Sequence, residues 1–158
     1  MTMSSPYRAE SSDHVSLLAH ERAALRRVAT LVAAGAAASE LLAAVAQEVA
    51  SVLNVTRVTI GRYDEDGYTT VLASLNDPDV PVGSRWPLEG PSLGAKTATV
   101  ATSIVVDGLV WGVICVAAED HVPLPPDTEE RLERFTELLA TAIAGAQSRE
   151  ALTELAKE

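Results

Sequence analysis

The most apolar pattern of the chain lies in the stretch Thr97–Ala118, where two runs rich in apolar and β-branched residues surround the dipeptide Asp107-Gly108. Asp-Gly tolerates the positive φ angles of a type I′ turn, so this pattern predicts a tight β-hairpin. Both faces of its second strand are apolar, so we expect that strand to be central in a sheet and covered on each side. The predicted faces are Leu109, Trp111, Val113 and Cys115 on one side, and Val110, Ile114 and Val116 on the other.

Helical periodicity begins at about Asp13, and Gly35 is expected to end this first helix. Ser39 is expected to cap a second helix that stops at Asn54. Asp127 is expected to cap a last helix that runs to about Ala156. Residues 1–12 show no periodicity and are predicted to be a disordered tail, so residues 13–158 form the single predicted domain.

Between the helices, the pattern predicts further strands over Val55–Tyr63 and Tyr68–Leu75, joined by a charged turn. Ser84–Leu88 is expected to be a short edge strand, because Pro87 cannot donate a backbone hydrogen bond to a neighbouring strand. Hairpins need no crossover helices. The sequence therefore predicts an α+β fold with an antiparallel sheet and the helices on one face.

The composition excludes several partners and fits a cytoplasmic protein. The net charge of −10 opposes binding to nucleic acid or to an anionic membrane. No apolar run approaches the length needed to span a bilayer, and the first residues contain no apolar signal segment. A lone cysteine, Cys115, fits a reducing compartment, although it cannot form an internal disulfide.

The chemistry-bearing residues predict no catalytic set, no cofactor and no metal site. His14, His20 and His121 lack the spacing of metal ligands, and Cys115 is expected to fill the core. Trp111 is expected either in the core or beside a ligand, and Arg85 next to Trp86 either meets an anionic ligand or covers apolar surface. The candidate ligand-pocket residues are Arg85, Trp86, Thr102 and Trp111.

Three stretches together resemble a GAF domain of the type found in actinobacterial sensor histidine kinases. They are ERAALRRVATLVA (21–33), GSRWPLEG (83–90), and the hairpin from Ser103 to Ala118 with the following DTEERLERFTELLATAIAGAQSREAL. The resemblance implies a central antiparallel sheet, with the first and last helices bundled on one face and a small-molecule pocket on the other.

The chain departs from this family in the segment that forms the pocket lid, where only Pro91–Ala98 is present. We expect the pocket to be either open and shallow or covered by another chain. The isolated chain is accordingly predicted to bind cyclic nucleotides and haem weakly or not at all.

The first and last helices carry apolar stripes that are broader than one sheet face requires. They predict a homodimer through Leu18, Leu25, Val28, Val32, Leu132, Phe135, Leu139 and Ile143. The expected function is a non-enzymatic sensory or regulatory module, whose partners are a second copy, a kinase or another signalling protein, and whose small-molecule ligand is left open. Two alternatives stay open: an interaction scaffold that has lost its ligand pocket, and a sensory fragment of a histidine kinase.

Overall fold

The fold is a five-stranded antiparallel sheet covered on one face by helices, which confirms the predicted α+β architecture. The computed structural model describes residues 6–90, 92–93, 100–118 and 123–157. The helices are α1 (Pro6–Ala33), α2 (Ala38–Leu53) and α3 (Thr128–Lys157). The strands are β1 (Arg57–Tyr63), β2 (Tyr68–Leu75), β3 (Arg85–Pro87), β4 (Val100–Val106) and β5 (Leu109–Ala117).

Two of the predicted helix ends are confirmed by their backbone geometry. Gly35 has φ 71°. The N–H groups of Gly35 and Ala36 donate to the carbonyls of Val32 and Leu31, respectively, so these two carbonyls of the last turn of α1 have hydrogen-bond partners. Asn54 ends α2 in the left-handed conformation, with φ 53° and ψ 47°. Asn is among the few residues that tolerate this conformation.

Two predictions about the helix starts were wrong. The N-cap of α2 is Ala37, so Ser39 lies inside the helix and the N-cap makes no side-chain hydrogen bond. Helix α1 begins at Pro6, so residues 6–12 continue the helix instead of forming a tail. Proline is tolerated in the first turn of a helix, where its missing N–H has no intrahelical partner to lose. Residues 1–5 lie outside the described residues.

The strand order β3-β2-β1-β5-β4 places β5 inside the sheet and β3 at an edge, as predicted. The turn between β4 and β5 has φ 52° at Asp107 and φ 80° at Gly108, the signs that a type I′ turn requires. Strand β4 forms the other edge. Leu109 and Val110 are exposed at the hairpin tip, so the prediction that β5 is covered on both sides is wrong for its first two residues.

Two β-bulges lie within a few residues of each other along the sheet and reverse the expected alternation. The pairing of β1 with β2 shifts after Ile60 and leaves Leu72 as the extra residue, and the pairing of β4 with β5 shifts after Ile104 and leaves Trp111 as the extra residue. An extra residue breaks the two-residue period, so both side chains pack against the core under the helices. The prediction that Trp111 shares a face with Val113 and Cys115 is therefore wrong, since Val113 packs in the cluster on the opposite face.

Two glycines allow the central strands to approach each other near these bulges. A Cβ atom on Gly112 would lie 2.1 Å from the carbonyl oxygen of Gly61 in β1. A Cβ atom on Gly61 would lie 2.5 Å from Cγ2 of Thr69 and 3.0 Å from Cδ2 of Leu93. Gly112 is thus required by the close approach of the neighbouring strand's backbone.

The helices form two tiers above the sheet. Helix α2 packs on β1 and β2, helix α3 packs on β4, and α1 packs mainly on α2 and α3. Their apolar side chains and one face of the sheet form a single core that includes Val28, Val45, Ile114 and Phe135. Among the described helices, none is both long and apolar enough to cross a membrane.

Candidate functional site

A cavity of about 400 Å³ lies between the helices and the sheet, at the end where α1 passes into α2. Small-molecule pockets in proteins range over about 300–1,000 Å³, so this cavity is at the small end of that range. The two bulges place Leu72 and Trp111 on its floor, and Ile143 of α3 lines its side. The remaining lining residues are Val32, Ala36, Ala38, Ser39, Leu41, Leu42, Arg62, Val82, Ala142, Ala146, Gln147 and Arg149.

Two guanidinium groups, those of Arg62 and Arg149, are the only charged side chains among the described residues that line this cavity. Nε of Arg62 donates to Oδ1 of Asp64 at 3.1 Å, so one carboxylate already balances its charge. Arg149 is exposed on α3 and forms no ion pair with another residue in the described part of the chain. The site therefore combines an apolar floor with one uncompensated positive charge at its rim.

The four predicted pocket residues are not brought together. Only Trp111 lines the cavity. Arg85 and Trp86 lie in the edge strand β3, and Thr102 lies in β4 at the other edge of the sheet. The sequence alone does not show how the strands pair, and the pairing places these four residues at opposite edges and on opposite faces of the sheet.

The sheet face opposite the helices was expected to hold the ligand pocket. Its described residues include a small buried cluster of Val71, Val80 and Leu93, against which Trp86 and Val113 pack. Nε1 of Trp86 donates to Oγ of Ser84 at 3.1 Å, so its polar edge is satisfied within the chain. This part of the face is filled by side chains. Of the short segment predicted as a lid, only Ser92 and Leu93 are described; Pro91 and residues 94–98 lie outside the described residues.

A charged cluster surrounds the tip of the hairpin between β1 and β2. Arg85 forms ion pairs with Asp66 and, at 3.6 Å, with Asp64, and its guanidinium lies 4.8 Å from the ring centroid of Tyr68. The hydrogen bond to Asp66 is the main reason that the pKa of Arg85 is raised. Arg85 is thus paired within its own chain, which leaves no free cation there for an anionic ligand.

The pKa of Asp64 is lowered, chiefly because the Thr70 hydroxyl donates to its carboxylate, and further because Arg62 and Arg85 lie nearby. A lowered pKa in the folded state stabilises the fold above the ordinary Asp pKa of about 4 and loses that contribution as the pH falls below it. We expect Asp64→Asn to be less stable than the parent chain at pH 7 by less than about 1 kcal/mol, because its partners Arg62 and Arg85 are about half exposed and solvent screens the ion pairs. The difference should shrink below pH 4; urea unfolding at both pH values measures it, and a constant difference would contradict the assignment.

A buried carboxylate near the middle of α1 joins that helix to the first two turns of α3, about three turns from the cavity. Glu21 is 3% exposed, and its two oxygens accept from Nε of Arg131 at 3.4 Å and from Nη1 of Arg134 at 2.7 Å. Arg131 also donates to the carbonyl of Val52 at the end of α2, at 3.1 Å. This cluster, the Glu21 clamp, therefore ties all three helices together.

Sequence reasoning missed the Glu21 clamp and the role of Arg149. A signal for the first was present, because Glu21 precedes Leu25 by four residues and Val28 by seven, which places a carboxylate on the apolar stripe of α1. No comparable signal marks Arg149, which reaches the cavity only through the packing of α3.

Five of the eight residues predicted to form a dimer interface are buried within the chain itself: Val28, Leu132, Phe135, Leu139 and Ile143. They pack in the core against the helices and the sheet, so they cannot offer surface to a second chain. The apolar stripes are broad because the helices form two tiers: α3 packs on the sheet with one side and against α1 with another. Leu18, Leu25 and Val32 are half-buried.

The remaining chemistry-bearing residues are used within the fold. Cys115 is 1% exposed in β5, and His20 is hydrogen-bonded to Oγ of Ser51 at 3.2 Å, which links α1 to α2. Burial raises the pKa of Tyr63, and the nearby Cys115 adds to that shift. His121 and the side chain of His14 lie outside the described residues.

Comparison with solved structures identifies the fold. The chain superposes on the phycoerythrobilin-bound GAF domain from a cyanobacterial phytochrome with a TM-score of 0.69 at 15% identity, covering 83% of this chain and 98% of that one. It matches the GAF domain from the Acinetobacter phosphoenolpyruvate-protein phosphotransferase with a TM-score of 0.67 at 19% identity, covering 83% and 97%. The corresponding domain from Coxiella burnetii gives 0.68 at 16% identity, covering 84% and 97%.

This chain therefore has the fold of GAF domains. No protein-family model matches its sequence, and no curated protein matches it either.

Proposed function

We propose that this chain is a non-enzymatic regulatory module of the GAF type, in which occupancy of the cavity displaces α1 relative to α3. The GAF fold supports the regulatory role, since its structural neighbours include a phytochrome photosensory core module and the GAF domains of phosphotransferases. The output partner in this proposal is a kinase or another signalling protein, as in the histidine kinases that the sequence resembles.

The observation that carries the proposal is the spacing of the Glu21 clamp and the cavity along the same helices, about three turns apart on α1 and on α3. Helices α1 and α3 run in parallel, because Glu21 meets Arg131 and Arg134, and further along both helices Val32 lines the cavity with Ile143. In this shared stretch, a helix pair that is fixed at the clamp end and separated by a cavity at the other moves most at the cavity end. Helix shifts of this kind typically amount to about 1–2 Å.

A cavity-filling variant tests the displacement without a ligand. Ala146 lines the cavity from α3, so Ala146→Trp should occupy it and move the helix ends apart. Spin labels on Ala33→Cys and Ser148→Cys report the cavity end, and labels on Ala19→Cys and Glu130→Cys report the clamp end; all four positions are exposed. Dilution with unlabelled protein restricts each distance to one chain.

We expect the Ala146→Trp variant to change the cavity-end distance by about 2 Å and the clamp-end distance by less. Ala43→Trp, at an exposed position of α2, is the matched control and should change neither. An unchanged cavity-end distance, or an equal change at both ends, would reject the proposal.

Dimerisation is part of the proposal, through a different surface from the buried stripes. An open groove between α1 and α3 is lined by Arg22, Leu25, Arg26, Ala29, Arg134, Glu137, Leu138 and Thr141. Arg22 and Arg26 lie on its α1 side, and α3 adds Glu137 and Arg134, the latter already paired with Glu21. A second copy related by a two-fold axis can therefore place Glu137 against the arginines of α1.

We expect a dimer in sedimentation velocity at micromolar concentration, and we expect Ala29→Arg to shift it toward monomer because it adds a charge within the groove. Ala29 is exposed on α1. Ala43→Arg adds the same charge on the exposed face of α2 and should leave the dimer intact. A parent chain that sediments as a monomer would reject this part of the proposal.

A second candidate function is an interaction scaffold that has no ligand. The filled cluster of Val71, Val80 and Leu93 on the opposite face favours it, because that part of the expected pocket is occupied by the chain's own side chains. A scaffold predicts that Ala146→Trp leaves the cavity-end distance unchanged, so the same measurement separates the two functions.

A further inference from the structure

The cavity beneath the helices differs from the pocket that the sequence resemblance implied, because it lies on the helical side of the sheet. Its floor is built by local features of this chain, since the extra residues of two bulges bring Leu72 and Trp111 to the same side. An indole beside aliphatic side chains gives a flat apolar surface suited to an aromatic or short aliphatic group.

The charged side chains that line the cavity indicate that its ligand is an anion. Arg62 and Arg149 line the cavity, and no acidic side chain is among those of its lining residues that the structure describes. Since Asp64 balances Arg62, the guanidinium of Arg149 is the group left to meet an anion. This arrangement is local, because the chain as a whole carries a net charge of −10.

We propose that the cavity binds a small amphipathic anion, a compact aromatic or aliphatic body that carries one carboxylate. The apolar body lies against Trp111, Leu72 and Ile143, and the carboxylate accepts hydrogen bonds from Arg149. Arginine suits this role because its planar guanidinium offers parallel donors that match a carboxylate. This inference rests on the proposed function, because it names the ligand class of the cavity from which the displacement begins.

A matched pair of probes tests the inference by equilibrium binding. Naphthalene-1-acetate and naphthalene-1-acetamide have nearly the same shape and differ in charge. Quenching of Trp111 fluorescence reports binding in a Trp86→Phe background, which leaves Trp111 as the only tryptophan. We expect the acetate to bind about tenfold more tightly than the acetamide, as a charge-assisted hydrogen bond to arginine predicts.

Three variants assign the binding to this cavity. Arg149→Gln should remove the preference for the acetate while leaving binding of the acetamide unchanged, and it should fold normally because Arg149 is exposed. Arg85→Gln removes a cation outside the cavity and should leave the preference intact. Ala146→Phe, which fills the cavity without adding a tryptophan to the fluorescence signal, should weaken binding of both probes.

Equal affinity for the two probes, a preference that survives Arg149→Gln, or no quenching of Trp111 would each overturn the inference. These outcomes are distinct from failure of the proposed function, which is measured by helix distances in Ala146→Trp without any probe. Binding without displacement would retain the anion site and reject the helix displacement.

Discussion

Replacing Gly112 with alanine is expected to destabilise the fold by about 3 kcal/mol, the upper end of the usual cost of overpacking. The added Cβ would lie 2.1 Å from the carbonyl oxygen of Gly61, and also 3.2 Å from Cα of Arg62. Both contacts are with backbone, so no side-chain rotation relieves them and β1 must move away from β5. Valine, despite its higher strand propensity, should cost at least as much. Urea unfolding measures the loss.

Gly145 provides the matched control for this substitution. It lies within α3, and a Cβ there would meet no atom within 4 Å. Gly145→Ala should therefore stabilise the chain by up to about 1 kcal/mol through helix propensity. If Gly112→Ala proves neutral, the close approach of β1 and β5 is not present in solution.

Replacing Glu21 with alanine is expected to cost about 2–3 kcal/mol. Removing one partner of a buried ion pair leaves the other charge uncompensated, with typical losses of about 3–5 kcal/mol. We expect a smaller loss because the Arg134 side chain is 44% exposed and can turn to solvent. The Arg131 side chain is 13% exposed and keeps only its bond to the Val52 carbonyl. Thermal or urea unfolding of Glu21→Ala gives the value.

The exposed ion pair between Arg27 and Glu48 is the control for the Glu21 clamp. It also joins α1 to α2, with bonds of 2.8 and 2.7 Å, but the Arg27 side chain is 54% exposed. Arg27→Gln should have a much smaller effect, because water replaces the lost contacts. Equal losses for the two variants would mean that the Glu21 clamp is not sheltered from solvent.

Local chemistry made most of the fold predictable. Strand β2 has the predicted bounds, and Asp107-Gly108 forms the predicted turn, because strand periodicity and turn preference depend on neighbouring residues. The bulges were not predictable, since both Trp111 and the residues around it are apolar and either face would bury them. A single extra residue then changed the face on which Trp111 lies.

The candidate site depends on contacts that no local pattern encodes. Glu21 meets Arg131 and Arg134 across more than a hundred residues, and the cavity draws its lining from all three helices and three strands. Each residue has an ordinary local explanation, as a stripe residue or a surface charge. Only the assembled helices show which charge is buried and which faces a cavity.

Because Cys115 is buried, the rate at which a thiol reagent modifies it measures how often the structure around β5 opens. The side chain of Cys115 is 1% exposed in β5, between β1 and β4, and it is the one cysteine of the chain. A thiol reagent can reach it only after local or global opening of the structure around β5. The rate of thiol modification therefore reports the free energy of that opening, without any label or substitution. Comparing that rate with unfolding monitored on the helices would show whether the two layers open together.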